Sequence, residues 1–215
     1  MRTYISPIGY DTRRATRPVI NQGMQGGDML VLLRPEAESD TEWANQTIAD
    51  VKQYLHEAEP AFEINVERVE TASFEATVRD CCRLLGDIEP DRETIVSLGG
   101  GARDVLLPLT VASLVYANQI DTALFFSDLD STVREWVLPD LTTQIPDRTT
   151  DTFTIILEAG GWISLSEIVS RTSHSKSTVV RHVNDLEEAG VIQADTSEKA
   201  KRVRVTFSGE ILSMA

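Results

Sequence analysis

Thr94-Ile95-Val96-Ser97-Leu98-Gly99-Gly100-Gly101-Ala102-Arg103-Asp104 runs from a short, β-branched apolar stretch through three consecutive glycines into the start of a helical pattern. A brief apolar run bounded by glycine reads as a buried strand. Glycines without a Cβ let a ligand approach the backbone, and the helix start behind them offers unpaired N–H groups and the positive end of a dipole. This predicts a cradle for an anion or a nucleotide. The alternative is that the glycines only make a tight turn from strand to helix, for which one glycine usually suffices. Arg103 would pair with a phosphate or simply with Asp104.

Working outward, four more runs read as strands: Thr3-Tyr4-Ile5-Ser6-Pro7-Ile8, Met29-Leu30-Val31-Leu32-Leu33, Phe62-Glu63-Ile64-Asn65-Val66 and Thr122-Ala123-Leu124-Phe125-Phe126. Trp136-Val137-Leu138 is a candidate sixth. Apolar residues at helical spacing lie between them, as at Trp43, Ile48, Val51 and Leu55, or at Phe74, Val78, Cys81, Cys82 and Leu85. Continuous apolar strands alternating with helices predict an α/β fold, a Rossmann-like parallel sheet covered on both faces. Ligands in such sheets collect beyond the carboxyl ends of the strands. Two loops qualify: the glycine run after the fourth strand, and Gly9-Tyr10-Asp11-Thr12-Arg13-Arg14 after the first. Tyr10 there would stack on a base or cover the sheet edge. The G-x-G-x-x-G of redox dinucleotide enzymes is missing, since Gly9 stands alone, and no Gly-Lys-Ser/Thr follows Gly101 as a P-loop requires.

The C-terminal part has a different pattern. Apolar Ile155, Ile156 and Leu157 lie in a helix that Gly160-Gly161 ends, and Ser164 caps the next, Leu165 to Arg171, with Glu167 completing a capping box. After the turn Thr172-Ser173-His174-Ser175, a longer helix from Lys176 to about Ala189 puts Val179, Val183 and Leu186 on an inner face. Its outer face presents Ser175, Lys176, Ser177, Thr178, Arg181 and His182 near the N-terminal end, where a recognition helix meets bases and phosphates. Two alternating strands around Asp195 to Lys201 make a wing with a basic far edge. A cationic helix face is commonly just solvated, and a lone His182 is commonly bland; the succession of elements is the specific signal. It predicts a winged helix-turn-helix on double-stranded DNA, with phosphate contacts from Lys176, Arg181, Lys199, Lys201, Arg202 and Arg204, and base readout by Ser177, Thr178 and Arg181. The expected organisation is a sheet domain over residues 1–140, a polar linker over 141–152 and the DNA-binding domain over 153–215.

At 215 residues, two modules are the expectation. A net charge of -14 argues against nucleic acid, but the acidity is concentrated in the first 150 residues, which hold 13 Lys+Arg against 25 Asp+Glu, while the rest holds 7 against 9. Lysine is scarce, and three of the four fall in the tail. That pattern fits a salt-adapted, halophilic source or an ordinary acidic protein. No apolar run is long enough for a membrane span and no export signal opens the chain, so the cytoplasm is expected. The adjacent Cys81 and Cys82 offer neither disulfide geometry nor a zinc site, so no metal is expected.

The residues Ile8-Gly9-Tyr10 after the first strand, Ser97-Leu98-Gly99-Gly100-Gly101-Ala102-Arg103 after the fourth and the winged helix behind them resemble the CARF winged-helix regulators of archaeal CRISPR systems. The resemblance covers nearly the whole chain and rests on architecture and short motifs. It implies a homodimer in which both loops of each subunit line one central pocket for a nucleotide second messenger, a cyclic oligoadenylate and commonly the tetramer. Ser97, opening the second of these segments, would by the same resemblance be one of the ligand-binding residues. By that resemblance Gly99, Gly100, Gly101, Ala102 and Arg103 would hold phosphate and ribose, and Ile8, Gly9, Tyr10 and Asp11 would flank the adenines. The chain departs from the family in its unbroken glycine triplet and in the acidic residues around an anion site. A non-enzymatic transcription regulator without a cofactor is expected. The alternatives are a ring nuclease that cleaves cyclic oligoadenylate, for which no His or acid–base pair is near either loop, and a metabolite-sensing regulator unrelated to CRISPR.

Overall fold

A computed structural model describes residues 1–36, 42–197 and 201–215, and divides into two compact units, Met1–Leu138 and Pro139–Ala215. In the first, β1 (Arg2–Pro7), α1 (Arg13–Gln22), β2 (Met29–Pro35), α2 (Glu42–Ala58), β3 (Glu63–Val69), α3 (Phe74–Gly86), β4 (Glu93–Ser97), α4 (Arg103–Val115), β5 (Thr122–Phe126) and β6 (Val133–Trp136) follow in order. The sheet order is β3-β2-β1-β4-β5-β6, parallel except for β6, which runs antiparallel to β5.

Strand alternation divides the apolar side chains between two cores. Tyr4, Leu30, Leu32, Ile95 and Leu124 face α1 and α2, where they meet Ala15, Val19, Val51 and Leu55. Ile5, Val31, Leu33 and Val96 face α3 and α4, where they meet Cys81, Leu85, Val105 and Leu109. Both faces of the central strands are therefore dry, which explains why these strands are apolar throughout. Edge strand β3 instead exposes Glu63, Asn65 and Glu67. On α3 the buried positions are Ala76, Thr77, Cys81 and Leu85, so the inner face is rotated from the expected one and Phe74 is exposed. Burial pushes the Cys81 thiol up to about 12, and Cys82, half-buried, is also raised. The amino ends of the strands are tied by Arg92, which donates to Thr3 Oγ1 at 2.8 Å and to the carbonyls of Arg2 and Gly27.

The second unit contains α5 (Thr150–Glu158), β7 (Ile163–Ser164), α6 (Leu165–Arg171), α7 (Lys176–Glu188), β8 (Ile192–Asp195), β9 (Arg202–Val205) and α8 (Phe207–Leu212). Its antiparallel sheet has the order β7-β9-β8. Phe153, Ile156, Ile168, Val179, Val183, Leu186 and Val203 form one core. The expected capping box is present: Ser164 Oγ accepts from Glu167 N at 3.2 Å, and Glu167 Oε2 accepts from Ser164 N at 2.9 Å. Residues read in the sequence as linker make side-chain contacts here. Ile145 packs on the core, Thr143 Oγ1 donates to Ala189 O at 2.8 Å, and Arg148 pairs with Asp185. Among the described residues no helix is long and apolar enough to cross a membrane.

Candidate functional site

In the first unit the strand order reverses between β1 and β4, neighbours whose following chains leave toward opposite faces. A crevice opens at such a switch point. Here it is a cleft of about 460 Å³, lined by Ile8, Gly9, Tyr10, Asp11, Gly99, Gly100, Gly101, Ala102 and Arg103, with Arg14, Leu98, Leu106, Phe125 and Asp128 completing the wall. The two sequence-predicted loops thus meet in one place. Ser97 lies below, at the end of β4, with its hydroxyl buried and no hydrogen-bond partner among the described residues.

The glycines have a packing cause. A Cβ on Gly99 would stand 2.3 Å from the Phe126 backbone nitrogen, and one on Gly101 would stand 2.4 Å from Pro7 Cβ. Gly101 also has φ +89°, where a side chain is strained. One on Gly100 would meet the Arg14 stem at 2.7 Å, and one on Gly9 would approach Gly101 Cα at 3.1 Å. The turn reading is therefore sufficient to account for the triplet, and a side-chain-free wall follows from it. Behind the wall, α4 starts at Arg103 with no side-chain cap from Ala102, and both residues line the cleft. Arg103 is exposed and has no ion-pair partner among the described residues, so it does not pair with Asp104.

Arg14 closes the first candidate loop in the sequence, where it has no assigned role. It sits in the first turn of α1, donates from Nη1 to Gly99 O at 2.9 Å, and lies 5.7 Å from the Phe126 ring centroid. Asp11 is 3.6 Å from its Nε, and Asp128 pairs with its Nη2. Asp11 also takes two bonds from the Arg13 guanidinium, at 2.9 and 3.0 Å, and that partner holds its carboxyl below the usual range. The acidic residues at the anion cradle are therefore compensated by α1 itself. The Arg13-Arg14 pair was the available sequence signal, but without the helix phase nothing said which arginine turned inward.

In the second unit, Ser175 is the N-cap of α7, accepting from Thr178 N at 3.2 Å. Lys176, Ser177 and Arg181 are exposed and Thr178 is half-buried. His182 requires a correction. It is 3% exposed, turned inward with Val179, Val183 and Leu186, and its Nδ1 is 2.9 Å from the buried Thr152 hydroxyl. Positions 179, 182, 183 and 186 form one i, i+3, i+4, i+7 stripe, so the helix period itself takes this imidazole off the outer face. Burial, aided by His174 and Arg181, pushes its pKa down. The wing cations have partners within the fold. Lys201 Nζ pairs with Glu187 Oε2 at 2.7 Å, Arg202 pairs with Asp195 at 3.7 Å, and Arg204 stacks on Trp162 at 4.8 Å. Lys199 lies outside the described residues.

Residues 2–129 match the family described as the Csa3 CRISPR-associated Rossmann-like domain, and residues 143–202 match the MarR family. No curated protein matches the chain. Among solved structures, the chain is similar to Enterococcus italicus Csm6 bound to cyclic hexa-2'-fluoro-hexa-dAMP, at 12% identity and TM-score 0.51 over 89% of this chain and 56% of that one. It also aligns with the protein VC1899 from Vibrio cholerae, at 11% identity and TM-score 0.46 over 98% of this chain and 65% of that one. The chain thus spans little more than half the length of that Csm6, and at this identity the likeness shows the fold alone. The Rossmann-like match covers more than half of the chain and coincides with the unit that carries the cleft, so the protein belongs to the Csa3 family of CRISPR-associated Rossmann-like (CARF) proteins, with a MarR-type winged-helix region behind that domain.

Proposed function

We propose that the chain is a ligand-responsive, DNA-binding transcription regulator whose CARF cleft takes a cyclic oligoadenylate, cyclic tetra-adenylate first among them. The observation that carries this reading is the meeting of both loops at the strand-order reversal, with a side-chain-free wall and an uncapped helix start. Gly99, Gly100, Gly101, Ala102 and Arg103 hold phosphate and ribose; Ile8, Gly9, Tyr10 and Asp11 flank the adenines. The nucleotide bound to the similarly folded Csm6 belongs to the same chemical class.

The functional protein is a homodimer. Support comes from α4, whose start lines the cleft and whose Leu107, Val111 and Val115 are 56%, 37% and 46% exposed at helical spacing. A contiguous apolar stripe on a helix is a candidate for burial against a second copy. Each chain then supplies a sensor over 1–140 and a DNA reader over 153–215. In that reader Lys176 and Arg181 meet phosphate, and Ser177, Thr178 and Arg181 meet bases. Ligand shifts the spacing of the two recognition helices, which need half-sites about 34 Å apart or a multiple of it. A salt-rich cytoplasm, matching the lysine-poor acidic composition, would favour base readout over phosphate contacts.

Calorimetry with cyclic tetra-adenylate at high salt should show saturable binding at one ligand per two chains. A mobility-shift series over candidate promoters should show an affinity that changes with ligand. An absence of binding in the first experiment would remove the sensor assignment and leave the DNA-binding one to be judged by the second. Chromatography of the ligand after long incubation should recover it intact; a cleaved product would make the chain a ring nuclease.

A further inference from the structure

The geometry points to Asp128 as a built-in competitor for the ligand: its carboxylate occupies the Arg14 guanidinium in the free protein, and an anionic ligand displaces it. This rests on the cleft being an anion site, as proposed above, and adds how that site is regulated.

Three contacts define the arrangement. Arg14 Nη1 is fixed on Gly99 O at 2.9 Å, so the guanidinium stays against the glycine wall whatever happens at its other nitrogens. Nη2 is held by Asp128, and Nε is near Asp11. The side chain keeps about a third of its surface open, and both it and Asp128 line the cleft. A phosphate entering the cleft thus reaches a cation that is already oriented but already paired.

The two carboxylates are not equally replaceable. Asp11 is gripped by Arg13 through both oxygens and by the Arg13 backbone N–H, and only 28% of its side chain is exposed. Asp128 is 66% exposed, and Arg14 is its ion-pair partner among the described residues. Releasing Asp128 returns a carboxylate to water at little cost, whereas releasing Asp11 would break a buttressed network. Nη2 therefore exchanges one oxyanion for another while Nη1 keeps its carbonyl, and the charge left without a partner is the exposed one, that of Asp128. A phosphate can take the place of the carboxylate because the planar guanidinium fork accepts either oxyanion.

Asp128 belongs to the turn between β5 and β6. That turn is also tied to α1 by Arg17, whose Nη1 donates to Ser131 O at 3.0 Å, and it is closed internally by Ser127 N donating to Thr132 O. Loss of the Arg14 contact leaves the Arg17 hydrogen bond to tie α1 to this turn among the described residues, and Leu129 in the turn is 95% exposed. Ligand occupancy is thereby converted into a change at the surface of the first unit.

The test is a double-mutant cycle on the full chain with two probes, inorganic pyrophosphate and cyclic tetra-adenylate. Asp128→Asn, an exposed replacement that leaves the fold intact, should tighten pyrophosphate binding about two- to fivefold, the range of an exposed ion pair. Arg14→Gln should weaken it at least about tenfold, as loss of a charge-assisted contact would. Arg14→Lys keeps the charge without the fork and covers the case in which the glutamine variant does not fold. Asp128→Asn should give no gain in the Arg14→Gln background and a smaller gain in the Arg14→Lys background than beside Arg14. An unchanged or weaker pyrophosphate affinity in Asp128→Asn, an equal gain without Arg14, or no pyrophosphate binding by any variant overturns the competitor role. If pyrophosphate follows the cycle but no protein binds cyclic tetra-adenylate, the competitor stands and the nucleotide reading fails.

Discussion

The cleft of the first unit and helix α7 of the second are built in opposite ways. The cleft wall is backbone: Gly99 and Gly101 press so closely on Phe126 and Pro7 that a single methyl group has no room. The outer face of α7 is side chain: Lys176, Ser177 and Arg181 stand in solvent, while Val179, His182, Val183 and Leu186 carry the packing. In the first region the residues that make the site also make the fold; in the second the two jobs fall to different faces of one helix. The lesson concerns inference from motifs. A conspicuous glycine run has a sufficient explanation in packing, so its functional weight comes from where it lies, at the strand-order reversal.

The largest effect that would break this comparison is in the glycines. Gly99→Ala or Gly101→Ala should destabilise the first unit by about 3 kcal/mol or more, beyond ordinary overpacking, because backbone atoms cannot step aside. Urea denaturation measures this, and a loss below about 1 kcal/mol would mean that the wall is adaptable. Next comes Arg181→Ala, which should leave stability within about 0.5 kcal/mol yet lower the slope of log affinity against log salt by about 0.9. Lys201→Ala should change that slope less, since Glu187 already holds its ammonium. An equal change would show that the ion pair opens on DNA. Ser164→Ala removes the capping box of α6 and should cost about 1 kcal/mol in the second unit, visible in its thermal midpoint.

The smallest is a pH dependence. Because folding lowers the His182 pKa, the unfolded chain binds the proton more readily. The contribution is complete above the ordinary imidazole value of 6.5 and is lost as pH falls through the lowered folded value. The second unit should therefore lose stability as pH falls below 6.5, and His182→Gln should flatten that loss. A profile of the same steepness in the variant would assign the effect to other groups.

Much of this architecture was legible in the sequence because of burial on two faces. Leu30 to Leu33 cannot be anything but a central strand when every residue is apolar, and Ser164 with Glu167 announces the start of α6. The sixth strand was misplaced by about three residues: Val133-Arg134-Glu135-Trp136 is an exposed edge with polar residues, so the apolar Val137 and Leu138 beyond it drew the reading. Helix α8 was not anticipated. Six residues held by Thr206 and by Gly209, tight against Val191 O, are too few to show a period. His182 was misread because its face was assigned by residue type; counting i+3 from Val179 would have turned it inward. Arg14 was missed for a different reason. Its importance depends on α1 and the loop after β4 meeting across 85 positions of sequence, which no local pattern encodes.

The burial of Cys81 has a practical consequence for testing the proposed release of Asp128. With its pKa pushed up to about 12, the thiol stays protonated at neutral pH, so alkylating dyes should pass it by. Cys82 is slowed in the same direction. A cysteine introduced at Leu129 would then be the fast-reacting thiol of the molecule, and a fluorophore there would report the β5–β6 turn without stripping the native sulfurs from the core.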